Sequence, residues 1–221
     1  MRFWYSESSR AEGEPLAFGF KHMLQTLWQC VFPLMKLNLA FLLFCLPVVT
    51  IPPAVTALHA GCVDLIRGEK CKVFRVFLRT IWHQFFQSWC IFLILGVLEF
   101  VSIFGAWFYF QKENIFTGIL GLFMATVAVV TLLMVPYCFC MLSRVDLSLI
   151  NTLKNAFLVS FLNLKFSVCS SVLTLALVVC QILWWLYMIP LVLLIGAALT
   201  AYLGCYFSLF GLQRFVLTED L

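Results

Sequence analysis

Residues 43–70 read LFCLPVVTIPPAVTALHAGCVDLIRGEK, and the fold turns on how that stretch is placed. Pro47, Pro52 and Pro53 interrupt a strongly apolar run, which resumes, carries His59, and ends in Arg67, Gly68, Glu69 and Lys70. Proline at 52 or 53 fits the first turn of a helix, where its missing N–H costs nothing. Gly68 is placed to close that helix after Arg67. The spacing predicts an apolar helix over 53–66, preceded by a second short arm over 37–51. Each arm falls below the roughly 20 residues that cross a bilayer. One interrupted crossing therefore competes with a hairpin that enters and leaves on the same side.

Charge decides between the two. Lys36 ends a polar stripe and is expected to snorkel to the headgroups. Among the other basic residues, a single crossing over 37–66 splits them nine to four. A chain that goes in and comes back puts twelve on one side and only Lys112 on the other. Cytoplasmic loops carry the excess of Lys and Arg, so the hairpin is the expected arrangement, with both termini cytoplasmic.

A membrane setting follows from composition. The chain has 221 residues, 64% hydrophobic and 11% charged, whereas a water-facing domain carries roughly 25% charged residues. Lipid must cover most of the surface. The net charge of +4 comes from basic residues flanking apolar segments. With no basic run interleaved with exposed aromatics, nucleic acid is not an expected partner; the lipid bilayer is. The ten cysteines lie mostly inside apolar stretches with no Cys-x-x-Cys pair, which suits helix packing better than disulfides or zinc. Residues 1–16 form a polar tail without the apolar core of a signal peptide, so the first apolar segment is expected to be retained.

The expected fold is all-α: a polytopic transmembrane helix bundle of five to six membrane segments with cytoplasmic amphipathic helices. One domain covers 17–214, with membrane segments at about 37–51, 53–66, 88–110, 115–142, 166–187 and 190–211, and a short tail at 215–221. Lys112, Glu113 and Asn114 make a tight turn between two long spans. Amphipathic stretches at 17–36, 72–87 and 146–161 are expected to lie at the membrane surface or under the bundle. In the second, Lys72, Arg75 and Arg79 form a basic face opposite Phe74, Phe77, Ile81 and Phe85. In the third, Asn151, Lys154 and Asn155 oppose Leu147, Ile150, Leu153 and Phe157. Asp64, Arg67, Glu69 and Lys70 read as a solvated helix end.

Glu99 is the most informative single residue, about 16 Å into its span at 1.5 Å per residue. A carboxylate there is costly unless paired, hydrogen-bonded or protonated. His59 sits at a comparable depth if its arm penetrates, so the two form a candidate intramembrane polar site. Small residues mark packing seams: Gly196, Thr200, Gly204 and Ser208 on the last segment, and Gly118, Gly121, Ala125 and Ala128 on the fourth. No phosphate-cradling glycine loop, nucleophile elbow or His-Glu-x-x-His helix occurs. Neither catalysis, a cofactor nor a metal is expected.

LNLAFLLFCLPVVTIPPAVTALHAGCVDLIRGEK, residues 37–70, resembles the opening signature of the YesL-like family of bacterial integral membrane proteins, a domain of unknown function. That signature runs as an Asn-containing apolar helix, then LPVVTIGPA-x-AAL, then a basic Arg-Gly-Glu end. VFRVFLRTIWHQFFQSW (73–89) and SRVDLSLINTLKNAFLVSFLNL (143–164) resemble its later segments. Pro52 stands where the family usually has Gly, and His59 where Tyr is usual. The resemblance implies a multi-pass cell-membrane protein, often encoded beside carbohydrate-uptake and carbohydrate-degradation genes, with no established activity. The expected function is a non-enzymatic accessory component linked to carbohydrate uptake or its regulation, working beside a membrane transport complex. The alternative is a small transporter or channel with Glu99 and His59 at a midplane site.

Overall fold

The computed structural model describes residues 19–68, 73–112, 114–144, 147–183 and 192–216, and among them all regular structure is helical. In order these are α1 (Phe20–Gln29), α2 (Val31–Cys45), a 3-10 turn (Val48–Thr50), α3 (Ile51–Ile66), α4 (Val73–Phe110), α5 (Ile115–Leu142), α6 (Leu149–Leu162), α7 (Leu164–Leu183), a π turn (Val192–Gly196) and α8 (Ala197–Val216). Four helices are long and apolar enough to cross a membrane, or five if the bent pair α1–α2 counts as one span; the apolar stretch Leu194–Leu209 is shorter. Trp184, Trp185 and Tyr187, residue types that favour a membrane interface, lie outside the described residues.

The opening stretch forms a hairpin of two helices. Pro52 and Pro53 sit in the first turn of α3, where proline removes no needed donor. Thr50 fastens the bend: its hydroxyl reaches the Phe44 carbonyl at the end of α2 and the Pro47 carbonyl at 2.6 Å. Gly68 ends α3 in the left-handed conformation (φ 71°), which glycine adopts without Cβ strain, and its N–H bonds the Leu65 carbonyl. The Cys30 thiol, at the start of α2, reaches the Leu65 carbonyl near the end of α3. The hairpin therefore returns to the end where it began. That end, holding Gly68 and Ser143, is the base; the end holding Lys112 is the tip.

Two boundaries differ from expectation. The arm before α3 begins at Val31 rather than Leu37, because the chain bends by 68° between α1 and α2. Pro33 explains the break: it has no N–H to give the Gln29 carbonyl, so α1 cannot run on, yet it fits the first turn of a new helix. The surface helix over 72–87 and the span over 88–110 are the two arms of α4, and the kink between them falls at the non-helical backbone of Gln84 (φ −114°, ψ 17°), a turn earlier than expected.

α3 is the centre of the molecule. Its span is 78% buried, against 22% for α4 and for α5 and 17% for α7. Ala54, Ala57, Ala60 and Gly61 are small enough for α2, α4, α5 and α8 to close around it. At Gly61 the approach is closest: a Cβ there would stand 2.6 Å from Leu37 Cδ2. The outer parts of α4 and α5 form a second hairpin whose Phe, Trp, Ile, Leu and Val side chains face outward.

Candidate functional site

α3 carries its polar residues Thr56, His59 and Asp64 at helical spacing, and all three are buried. At the base, Asp64 pairs with Arg144, which follows α5, and both are nearly inaccessible. The same guanidinium donates to the Ala60 carbonyl at 3.1 Å, so one side chain binds both a carboxylate and the backbone one turn earlier. Burying two charges is costly unless extra hydrogen bonds compensate, and the bond to the Ala60 carbonyl supplies one. Asp64 thus corrects its reading as part of a solvated helix end: its side chain is buried and its charge is met 80 positions away in sequence, whereas Arg67 is half-buried and Gly68 exposed, and Glu69 and Lys70 lie outside the described residues.

Two turns toward the tip, the Thr56 hydroxyl meets the Ser88 hydroxyl of α4 at 2.8 Å. Between the levels of Ser88 and Asp64 lies Gln84, at the break in α4, with both polar atoms of its amide buried and without a hydrogen-bond partner. Sequence reasoning missed Gln84 because it reads, like Gln87, as a surface residue of an aromatic-rich amphipathic helix. Its neighbours on the stripe, Thr80 and Ser88, are also buried, and their spacing of four was the available signal.

His59 and Glu99 do not form a joint site. The His59 Nδ1–H donates to the Val55 carbonyl at 2.8 Å, and its ring stacks on Phe139 with centroids 5.4 Å apart. α3 and α4 run antiparallel: Thr56 meets Ser88, and the Val49 carbonyl, just before α3, accepts from the Trp89 indole one residue further along α4. From the Thr56–Ser88 contact, His59 lies toward the base while Glu99 lies three turns toward the tip. Their axial separation is about 20 Å. Glu99 sits half-buried in the projecting α4–α5 hairpin, and its Oε2 is buried without a hydrogen-bond partner. A proton pathway linking the two is not built.

Other polar side chains also tie helix to helix. Asn38 of α2 accepts the Ala198 N–H at 3.0 Å, capping one of the donors that the first turn of α8 leaves open. The Tyr137 hydroxyl bonds the Ser167 hydroxyl at 2.9 Å, joining α5 to α7. The Cys205 thiol of α8 lies 3.7 Å from the His59 carbonyl of α3. All of these cross-links converge on α3 or its immediate neighbours.

The seam residues divide. Gly204 stands against Pro136, whose Cβ would be 3.5 Å from an added methyl, and a methyl added at Gly121 would stand 3.2 Å from the Phe110 ring. Gly118 has open space around it, which removes it from the seam. Ala125 and Ala128 are half-buried. Gly196 closes the π turn and its carbonyl accepts from Gln181 at 3.3 Å. The Thr200 hydroxyl bonds the Ala197 carbonyl, and Ser208 is fully buried with its hydroxyl unpartnered. On α4, Arg75 and Arg79 are exposed on one face while Phe77 and Ile81 are buried on the other; Lys72 lies outside the described residues. Among the described residues, no three His, Cys, Asp or Glu side chains gather as a metal site.

The fold and this buried polar centre define an α-helical bundle with the helices of an integral membrane protein. Residues 34–106, about a third of the chain and covering most of α2 through α4, match the family model described as "Protein of unknown function, DUF624". No curated protein and no solved structure matches the chain.

Proposed function

We infer that the protein is a non-enzymatic component of the cell membrane that works beside a transport complex in carbohydrate uptake or its regulation. One observation carries the non-enzymatic part: the strongest buried charges, Asp64 and Arg144, are spent on each other and on the Ala60 carbonyl. A carboxylate engaged by a guanidinium is a staple between α3 and α5, not a poised acid or base. Asn38, Thr56 and Tyr137 serve the same purpose. Among the described residues, Arg67, Arg75, Arg79 and Arg144 lie at the base and Lys112 at the tip, which makes the base the cytoplasmic side by the positive-inside rule.

The link to carbohydrate uptake rests on the YesL-like resemblance of residues 37–70 and 73–89, and the DUF624 match over 34–106 supports an uncharacterised family at the same place. Partner contact falls on α6, which exposes Ile150, Asn151, Lys154 and Phe157 together. Placing a photo-crosslinking residue at Ile150 and irradiating intact membranes tests the assignment. The expected product joins this chain to a subunit of a sugar permease. Flux of sugar or protons through liposomes holding this protein alone, abolished by Glu99→Gln, contradicts it.

A further inference from the structure

α4 changes character along its outward face. Arg75 and Arg79 stand one turn apart on it, with Leu78 between them, and Trp82 and His83 occupy the next turn. These five residues line an open groove of about 750 Å³. One turn further, Phe86 is as exposed as Trp82, at 83% each, and from Phe92 to Phe110 the exposed large residues are all apolar. The switch from guanidinium to bare aromatic spans the seven residues from Arg79 to Phe86, about 10 Å of helix. That distance matches the thickness of a headgroup layer, and an exposed Trp at that level is what the interface favours.

From this we propose that the groove holds an anionic phospholipid, its phosphate between Arg75 and Arg79 and its acyl chains along Phe86 and the apolar face beyond. Two guanidiniums spaced by one turn present forked donors to phosphate oxygens in a way ammonium groups do not. Trp82 and Leu78 give the glycerol backbone an apolar wall, while His83 adds a polar edge on the side of the next turn. The inference deepens the membrane reading by giving the bundle a preferred lipid at its base, and it rests on α4 lying in a bilayer.

The test uses the full chain reconstituted in nanodiscs of phosphatidylcholine containing one-fifth phosphatidylglycerol, followed by native mass spectrometry of the lipids retained on release. The parent is expected to retain phosphatidylglycerol in excess of its share. The double variant Arg75→Ala, Arg79→Ala should lose that excess by about twenty-five-fold, since each basic residue near the surface contributes about a factor of five. Arg75→Lys with Arg79→Lys should fall between, having charge without the fork. Lys112→Ala, at the tip, should match the parent. Equal enrichment in parent and double variant overturns the inference, as does displacement of the lipid by millimolar inorganic phosphate. A chain that retains no lipid of either kind contradicts the membrane reading instead. Melting in pure phosphatidylcholine must be the same for parent and variants, and a difference there that accounts for the lost lipid also counts against the groove.

Discussion

The α2–α3 hairpin and the α4–α5 hairpin are written in nearly the same apolar alphabet and end in opposite surroundings. α3 is 78% buried, whereas α4 and α5 are 22% buried. What separates them is the placement of small and polar residues. α3 puts Ala, Gly and Cys on the sides where helices must close in, and Thr56 and Asp64 where partners wait on α4 and beyond α5. The outer α4–α5 hairpin carries bulky Phe, Trp and Leu that fill lipid and leave room for only one close neighbour. Hydropathy sees both as membrane-like; only the pattern of the exceptions distinguishes a helix clothed in protein from one clothed in lipid.

The contrast breaks most sharply at the ion pair. Asp64→Ala leaves the Arg144 guanidinium buried beside an empty site, which costs about 3–5 kcal/mol and should give the largest fall in stability in detergent. Glu99→Gln, in the other hairpin, removes a carboxylate with one oxygen already unpartnered, so its melting temperature should hold or rise. Equal losses for the two variants erase the distinction between the hairpins. Gly61→Val comes next: overpacking against Leu37 costs about 1–3 kcal/mol, whereas Gly118→Val, in open space, should stay within about 0.5 kcal/mol. Circular dichroism melts of both variants read this directly. Thr56→Val breaks the bond to Ser88 and should cost about 1 kcal/mol, the scale of an interhelical hydrogen bond in a membrane protein. The smallest effect belongs to Phe100→Leu on the lipid face of α4, expected within about 0.5 kcal/mol. A larger loss means that this face is covered by protein.

Much of this was legible in the chain itself. The two prolines and Gly68 mark the ends of α3, and Asn114 accepts the Phe116 N–H at the start of α5 as a turn residue should. The return of the hairpin to its own side follows from where Lys and Arg fall. Pro33 was an equally plain signal for the bend after α1, but the polar stripe running on to Lys36 concealed it. The Asp64–Arg144 pair could not be read, because each residue borders a turn and looks solvated by itself. Pairing across 80 positions is a property of packing, not of either neighbourhood. Gln84 was hidden for a related reason: a helix that is amphipathic about its surface face shows nothing of the polar stripe it buries.

A double-mutant cycle on Asp64 and Arg144 is the most direct test of a centre held together by buried charge. Asp64→Ala, Arg144→Ala and the double variant are unfolded reversibly in mixed SDS and mild-detergent micelles, and the losses compared. The double variant is expected to be no less stable than the worse single, a coupling of about 2 kcal/mol or more. Losses that simply add mean that the two side chains do not hold each other, and that α3 owes its place to packing alone.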